Sequence, residues 1–294
     1  MLKKLSLGIV ILLSLTGIWY FFIKGYDYKI SFQASAAPGS IYLRALHFMP
    51  DRSKVLDRFP YESLVHRIDL AEADLNMKWQ FIPMNDSVTR VETITKTIEN
   101  NFLERLRLLV GRSDSKKRIA EDLKTFRDLL EKDVDLFDVE VMGEALIPGA
   151  DCACITLESP MEEKATGMMQ NIGLLQEYMK QHNLDLEGYP RVQVTEWDTS
   201  RDHINFDFCF PLAGSADLPN TSVIRIRKIQ PQKALKAVFR GNYIFSHHAW
   251  LQLLNYAEIH GYEVAGTPME IFIDNPELGG DSRQWEAEVF LPVR

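Results

Sequence analysis

In the stretch GTPMEIFIDNP, residues 266–276, Met269, Ile271 and Ile273 alternate with Glu270, Phe272 and Asp274. A period of two predicts a strand whose apolar side faces a core. The other side sets the carboxylate of Glu270 next to the ring of Phe272. On an open sheet such a pair is simply solvated. In a cavity it is a place for a cation, where an aromatic face adds ~1–2 kcal/mol of cation–π attraction, or for an acid or base acting on a bound molecule.

Other residue types with chemical potential are poorly arranged. His47 and His66 are isolated, and His247 and His248 are adjacent, so on a helix they do not share a face as two ligands of one metal would. No metal site is expected. The three cysteines, Cys152, Cys154 and Cys209, are too few and too odd in number for a disulfide framework and read as small buried apolar residues. Neither glycine-rich phosphate-loop pattern occurs, and no cofactor is expected. The formal net charge of -8 argues against a nucleic-acid partner, and the short clusters Lys116-Lys117-Arg118 and Arg225/Arg227/Lys228 read as solvated faces.

The elements that must position Glu270 belong to an internal repeat. EYMKQHNLDLEGYPRVQVTEWD and NYAEIHGYEVAGTPMEIFIDNP share His182/His260, Gly188/Gly266 and Pro190/Pro268, each pair 78 residues apart. Upstream, Pro148 precedes GADCACITL and Pro231 precedes QKALKAVFR; downstream, NFDFCFPL answers EAEVFLPV. Two copies of strand, strand, helix, strand, strand are expected, over about 137–212 and 222–294. Ser159-Pro160-Met161-Glu162 predicts a capping box at the first helix, and Ala165, Met168, Ile172, Leu175 and Met179 its buried stripe. Trp250, Leu253, Leu254 and Ala257 form the second stripe. With each helix on one sheet face, the other faces are expected to enclose a cleft at a pseudo-two-fold axis, where small-molecule pockets form. The counterpart of Glu270, 78 residues earlier, is Val192, so the cleft would have an acid on one wall and an aliphatic group on the other.

Residues 5–23, LSLGIVILLSLTGIWYFFI, carry no charge and number 19, about what a bilayer-spanning helix needs. They are longer than the core of a cleaved leader, and the only small-x-small triplet, Ala34-Ser35-Ala36, lies well beyond them. The expectation is a transmembrane anchor over 1–24, single-pass, with the N-terminus cytoplasmic on the strength of Lys3 and Lys4 and the remainder extracytoplasmic. Residues 25–136 read as a small α+β domain: a strand at Tyr28–Phe32, a short helix after Pro38, a hairpin with Leu75, Met77, Trp79 and Phe81 on one face and Thr89 to Thr97 returning, then helical spacing over 100–133 broken at Gly111-Arg112-Ser113. In order of elements this segment resembles a truncated START/Bet v 1-like (SRPBCC) helix-grip domain.

Over about 137–294, YPRVQVTEWD, VFRGNY, AWLQLLNYAEIHGYEVAGTPMEIFIDNP and WEAEVFLPV resemble the GyrI-like small-molecule-binding domain, also known as the AraC-type effector-binding domain. The resemblance implies a duplicated β-α-β-β module around a ligand cleft, with the whole chain α+β. It implies that Glu270 lies at the base of the cleft and meets cationic or electrophilic aromatic ligands. It implies further that Tyr243, Phe272 and Trp285 are aromatic walls, with Val192 and Val194 on the aliphatic side. Many members carry tyrosine where this chain has Phe272, which puts in doubt any mechanism that uses that hydroxyl. The function expected is a membrane-anchored binder of apolar, cationic or electrophilic aromatic small molecules. A hydrolase using Glu270 on strained or electrophilic compounds and a protein-interaction module are the alternatives.

Overall fold

A computed structural model describes residues 2–49, 51–70, 73–98, 101–213 and 218–294 of the chain. They fall into two compact units, Met1–Ala34 with Tyr42–Ile82 and Arg90–Leu129, and Ser35–Ile41 with Pro83–Thr89 and Leu130–Arg294.

The first α-helix, α1, runs over Leu2–Ile18, and Trp19–Ile23 continue it as a π-helical stretch. This corrects the expected anchor: among the described residues no helix is long and apolar enough to cross a membrane. Seventeen α-helical residues rise about 26 Å against a hydrocarbon core of about 30 Å, and two of them are Lys3 and Lys4. The end of the run is held through its backbone, while Trp19 and Phe22 stay exposed. Arg105 reaches back to it, donating to the carbonyls of Tyr20 at 2.7 Å and Phe21 at 2.8 Å while its Nε pairs with Asp27 at 2.8 Å. These carbonyls have no partner further along the helix, and a guanidinium is well suited to terminating them. The single-pass placement, its cytoplasmic N-terminus and the membrane as partner all lose their support with the span.

The remaining elements before the repeat are β1 (Tyr28–Ala34), α2 (Pro38–Leu46), β2 (Ser53–Phe59), β3 (Ser63–Leu70), β4 (Ala73–Asn85), β5 (Val88–Thr97), α3 (Asn101–Leu109) and α4 (Asp114–Asp133). The strands form one sheet in the order β1-β5-β4-β3-β2. Leu75, Met77, Trp79 and Phe81 of β4 alternate into the core as the period-two pattern requires, and Thr89 to Thr97 do so from β5. Buried Ile119, Leu123 and Phe126 of α4 share its stripe, and Phe126 meets Trp79 edge-on at 5.2 Å. The helical run breaks between α3 and α4 at Gly111, whose φ of +70° favours a residue without Cβ.

The repeat is built as strand, strand, helix, strand, strand, twice. The first copy comprises β6 (Phe137–Ile147), β7 (Ala150–Pro160), α5 (Lys164–Gln181), β8 (Arg191–Asp198) and β9 (His203–Pro211). The second comprises β10 (Ile224–Ile229), β11 (Gln232–Gly241), α6 (His247–His260), β12 (Met269–Phe272) and β13 (Glu286–Pro292). All eight strands form one sheet in the order β10-β7-β9-β8-β12-β13-β11-β6. The copies meet at β8 and β12, and each sends its first strand to the far edge of the other: β6 pairs with β11, and β10 with β7. The expected capping box is absent: β7 continues to Pro160, Met161–Glu163 form a 3-10 turn, and no side chain caps α5.

The sheet is continuous through both copies. Both helices lie on the face that carries Glu270. The opposite face holds a cluster that includes Ile147, Cys152, Met269, Ile271 and Phe290. Here Cys154 and Cys209, directly opposed on β7 and β9, form a disulfide, correcting the reading of all three cysteines as unlinked. Cys152 is a free buried thiol, pushed up to about 11 by burial. A cavity of about 240 Å³, lined by Gln193, Gln232, Thr267 and Met269 among others, opens on this same face, away from Glu270.

Candidate functional site

Strand β12 is four residues long and lies at the centre of the sheet. Its register sets Glu270 directly opposite Val192 on one side and Val289 on the other. The residues related by the 78-residue repeat are thus cross-strand neighbours at the junction of the copies. Val192 and Val194 are fully buried on this face, and so is Glu270, at 0% exposure. An ionised carboxylate in such a position needs a counter-charge.

That counter-charge is Lys164, the first residue of α5, itself 1% exposed. Its ammonium donates to a Glu270 carboxylate oxygen and, at 2.7 Å, to Ser246 Oγ. Ser246 passes the chain on by donating to the Tyr243 carbonyl at 2.9 Å. The ammonium also stands 4.9 Å from the centre of the Trp250 ring and 5.6 Å from that of Phe272, within cation–π range. Burial pushes the Lys164 amine below the ordinary lysine value, and Glu270 works against that shift. The amine sits at a helix N-terminus, where the macrodipole disfavours a cation.

Tyr243 reaches the site from the turn after β11. Gly241 makes that turn possible: its φ is +148°, and a Cβ there would come within 2.7 Å of Phe137 Cβ. The Tyr243 ring packs 4.8 Å from Phe272 and 5.6 Å from Trp285. Its hydroxyl donates to the Glu286 carbonyl at 2.7 Å and accepts from the Asp274 amide at 3.1 Å. Trp285 is half-buried. The structure therefore brings Glu270, Phe272 and Tyr243 together, with Trp285 against the Tyr243 ring and Val192 beside Glu270 on the neighbouring strand.

Sequence reasoning missed Lys164, Ser246 and Trp250 as members of this cluster. A signal for the first was present. The stripe Met168, Leu175, Met179, carried back four residues, lands on Lys164, and a lysine on the apolar stripe of a helix needs a buried acid. His247 is also buried beside the cluster; desolvation, with the neighbouring His248 and Lys164, holds it well below the ordinary histidine range. Among the described residues no cluster of three or more His, Cys, Asp or Glu could hold a metal ion.

Within this cluster Glu270 Oε1, the indole Nε1 of Trp250 and His247 Nδ1 are buried and have no hydrogen-bond partner among the described residues. A purely structural ion pair would be expected to satisfy both carboxylate oxygens, because an orphaned one costs about 1–3 kcal/mol or more.

No family model and no curated protein matches the chain. Among solved structures, the C-terminal domain of EcmrR is similar at 22% identity and a TM-score of 0.46, over 54% of this chain and 98% of that one. SAV2435 bound to tetraphenylphosphonium is similar at 14% identity and a TM-score of 0.33, over 53% and 94%. The integron cassette protein VCH_CASS2 from the mobile metagenome of Vibrio cholerae is similar at 14% and 0.31, over 53% and 99%. At identities of 22% or less and TM-scores below 0.5, these likenesses carry no assignment of family or function.

Proposed function

We propose that this chain is a small-molecule-binding protein and that its ligand is an organic cation with an aromatic or apolar body, taken at Glu270. The observation that carries this reading is the carboxylate itself. It is fully buried, holds an ammonium beside aromatic rings, and keeps one oxygen without a partner. The chemistry that retains the Lys164 ammonium is the chemistry that would select a ligand cation.

Phenyltrimethylammonium and its neutral isostere tert-butylbenzene separate charge from shape. Titrated calorimetrically into the full chain, the cation is expected to bind more tightly than the hydrocarbon. Glu270→Gln should weaken the cation alone by ~1–3 kcal/mol, the worth of a charge-assisted contact. Equal losses for both probes, or no discrimination by the unmodified chain, would remove this assignment.

A further inference from the structure

We propose that Lys164 is a built-in competitor for the Glu270 site: its side chain occupies the place of the ligand's cation, and a ligand enters only as that side chain leaves. This rests on reading Glu270 as the cation-binding group.

The argument begins with what the ammonium touches. Every favourable contact of Lys164 is one an exogenous cation would make: the Glu270 carboxylate, the Ser246 hydroxyl, and the faces of Trp250 and Phe272. Its placement is otherwise unfavourable. It is desolvated, it opens a helix whose dipole repels it, and it leaves Glu270 Oε1 unsatisfied. The side chain is also well placed to move. Lys164 follows directly on the Met161–Glu163 turn, where Glu162 and Glu163 are exposed, and α5 has no side-chain cap that would have to break. A four-carbon stem can carry its head from the buried site toward those two carboxylates without unfolding the helix. In contrast, Glu270 is fixed in a central strand and cannot follow. The movable partner is therefore the lysine, and the site it vacates contains a fixed acid and two aromatic faces.

The test uses the full chain and phenyltrimethylammonium. Lys164→Met removes the charge and keeps an apolar stem, so it should bind the cation at least ten-fold more tightly than the unmodified chain, while Lys164→Arg, which restores a cation, should not. In the unmodified chain, acetylation by a water-soluble amine reagent, read by peptide mass, should be slow at Lys164 and fast at exposed Lys180, and saturating cation should accelerate it selectively at Lys164. If Lys164→Met binds no more tightly than the unmodified chain, or Lys164 stays protected at saturation, the competitor role is overturned although Glu270 remains the cation site. If neither chain binds the cation at all, both readings fall together. Should Lys164→Met not fold, the acetylation arm decides alone.

Discussion

Lys164, which opens α5, and Ser246, which immediately precedes α6, are joined by a 2.7 Å hydrogen bond. The N-terminal ends of the two repeat helices thus meet over the strand junction where Glu270 faces Val192. Lys164 of the first copy is thereby joined to Ser246 and Glu270 of the second, whose counterparts 78 residues earlier are Met168 and Val192.

The Lys164–Glu270 pair should behave as a unit in stability measurements. Removing either charge alone leaves the other buried, at a cost of about 3–5 kcal/mol, whereas replacing both with apolar side chains of similar volume is often neutral. Urea unfolding of Lys164→Met, Glu270→Leu and the double variant should therefore be strongly non-additive, with the double variant at least as stable as either single one. Simple addition of the two losses would show that the charges do not depend on each other.

Tyr243→Phe should loosen the chain segment that joins β12 to β13. The hydroxyl holds the Glu286 carbonyl and the Asp274 amide, and leaving such groups unpaired costs about 1–3 kcal/mol. Amide exchange at Asp274 should accelerate roughly ten-fold, the equivalent of about 1.4 kcal/mol. Unchanged protection there would mean that the Tyr243 hydroxyl does not hold the segment.

Acid should destabilise the first unit through His66. It is fully buried, and its Nδ1 accepts from the Trp79 indole at 3.0 Å. Burial holds it at about 4 against an ordinary 6.5. The unfolded chain therefore takes up a proton as pH falls below 6.5, and the folded chain does not until about 4. Stability is intact above 6.5 and is lost across that window, by about 3 kcal/mol for such a shift. His248, also held at about 4 by burial, adds a similar loss in the second unit. Urea midpoints measured from pH 7 to 4 should fall less steeply for His66→Asn, and least for His66→Asn with His248→Asn. Identical slopes in all three chains would refute the assignment.

The legible parts of this molecule were those written in local spacing. Alternation placed Glu270 and Phe272 on one face, and the recurring histidine, glycine and proline exposed the repeat and the partnership of Glu270 with Val192. What the spacing could not carry was pairing across distance. Cys154 and Cys209 look unrelated until β7 and β9 lie side by side, and Lys164 looks solvated beside Glu162 and Glu163 until the stripe of α5 is extended through it. Hydropathy misled at the N-terminus for a related reason. The uncharged run was real, but where it stops being an α-helix is set together with Arg105, more than eighty residues away in sequence.

The exchange of β6 and β10 between the copies has a consequence for synthesis. When the first copy has left the ribosome, β6 has no neighbour, because β11 has not been made, and β8 lacks β12 on its open side. At ~5–20 residues per second, the roughly eighty residues still to come take about 4–16 s. Through that interval the nascent chain presents unpaired strand edges, the surfaces most prone to joining another chain. Neither copy is a finished object on its own. Polypeptides severed in the linker between β9 and β10 would each carry one strand belonging to the other half, and would be expected to clasp one another on mixing.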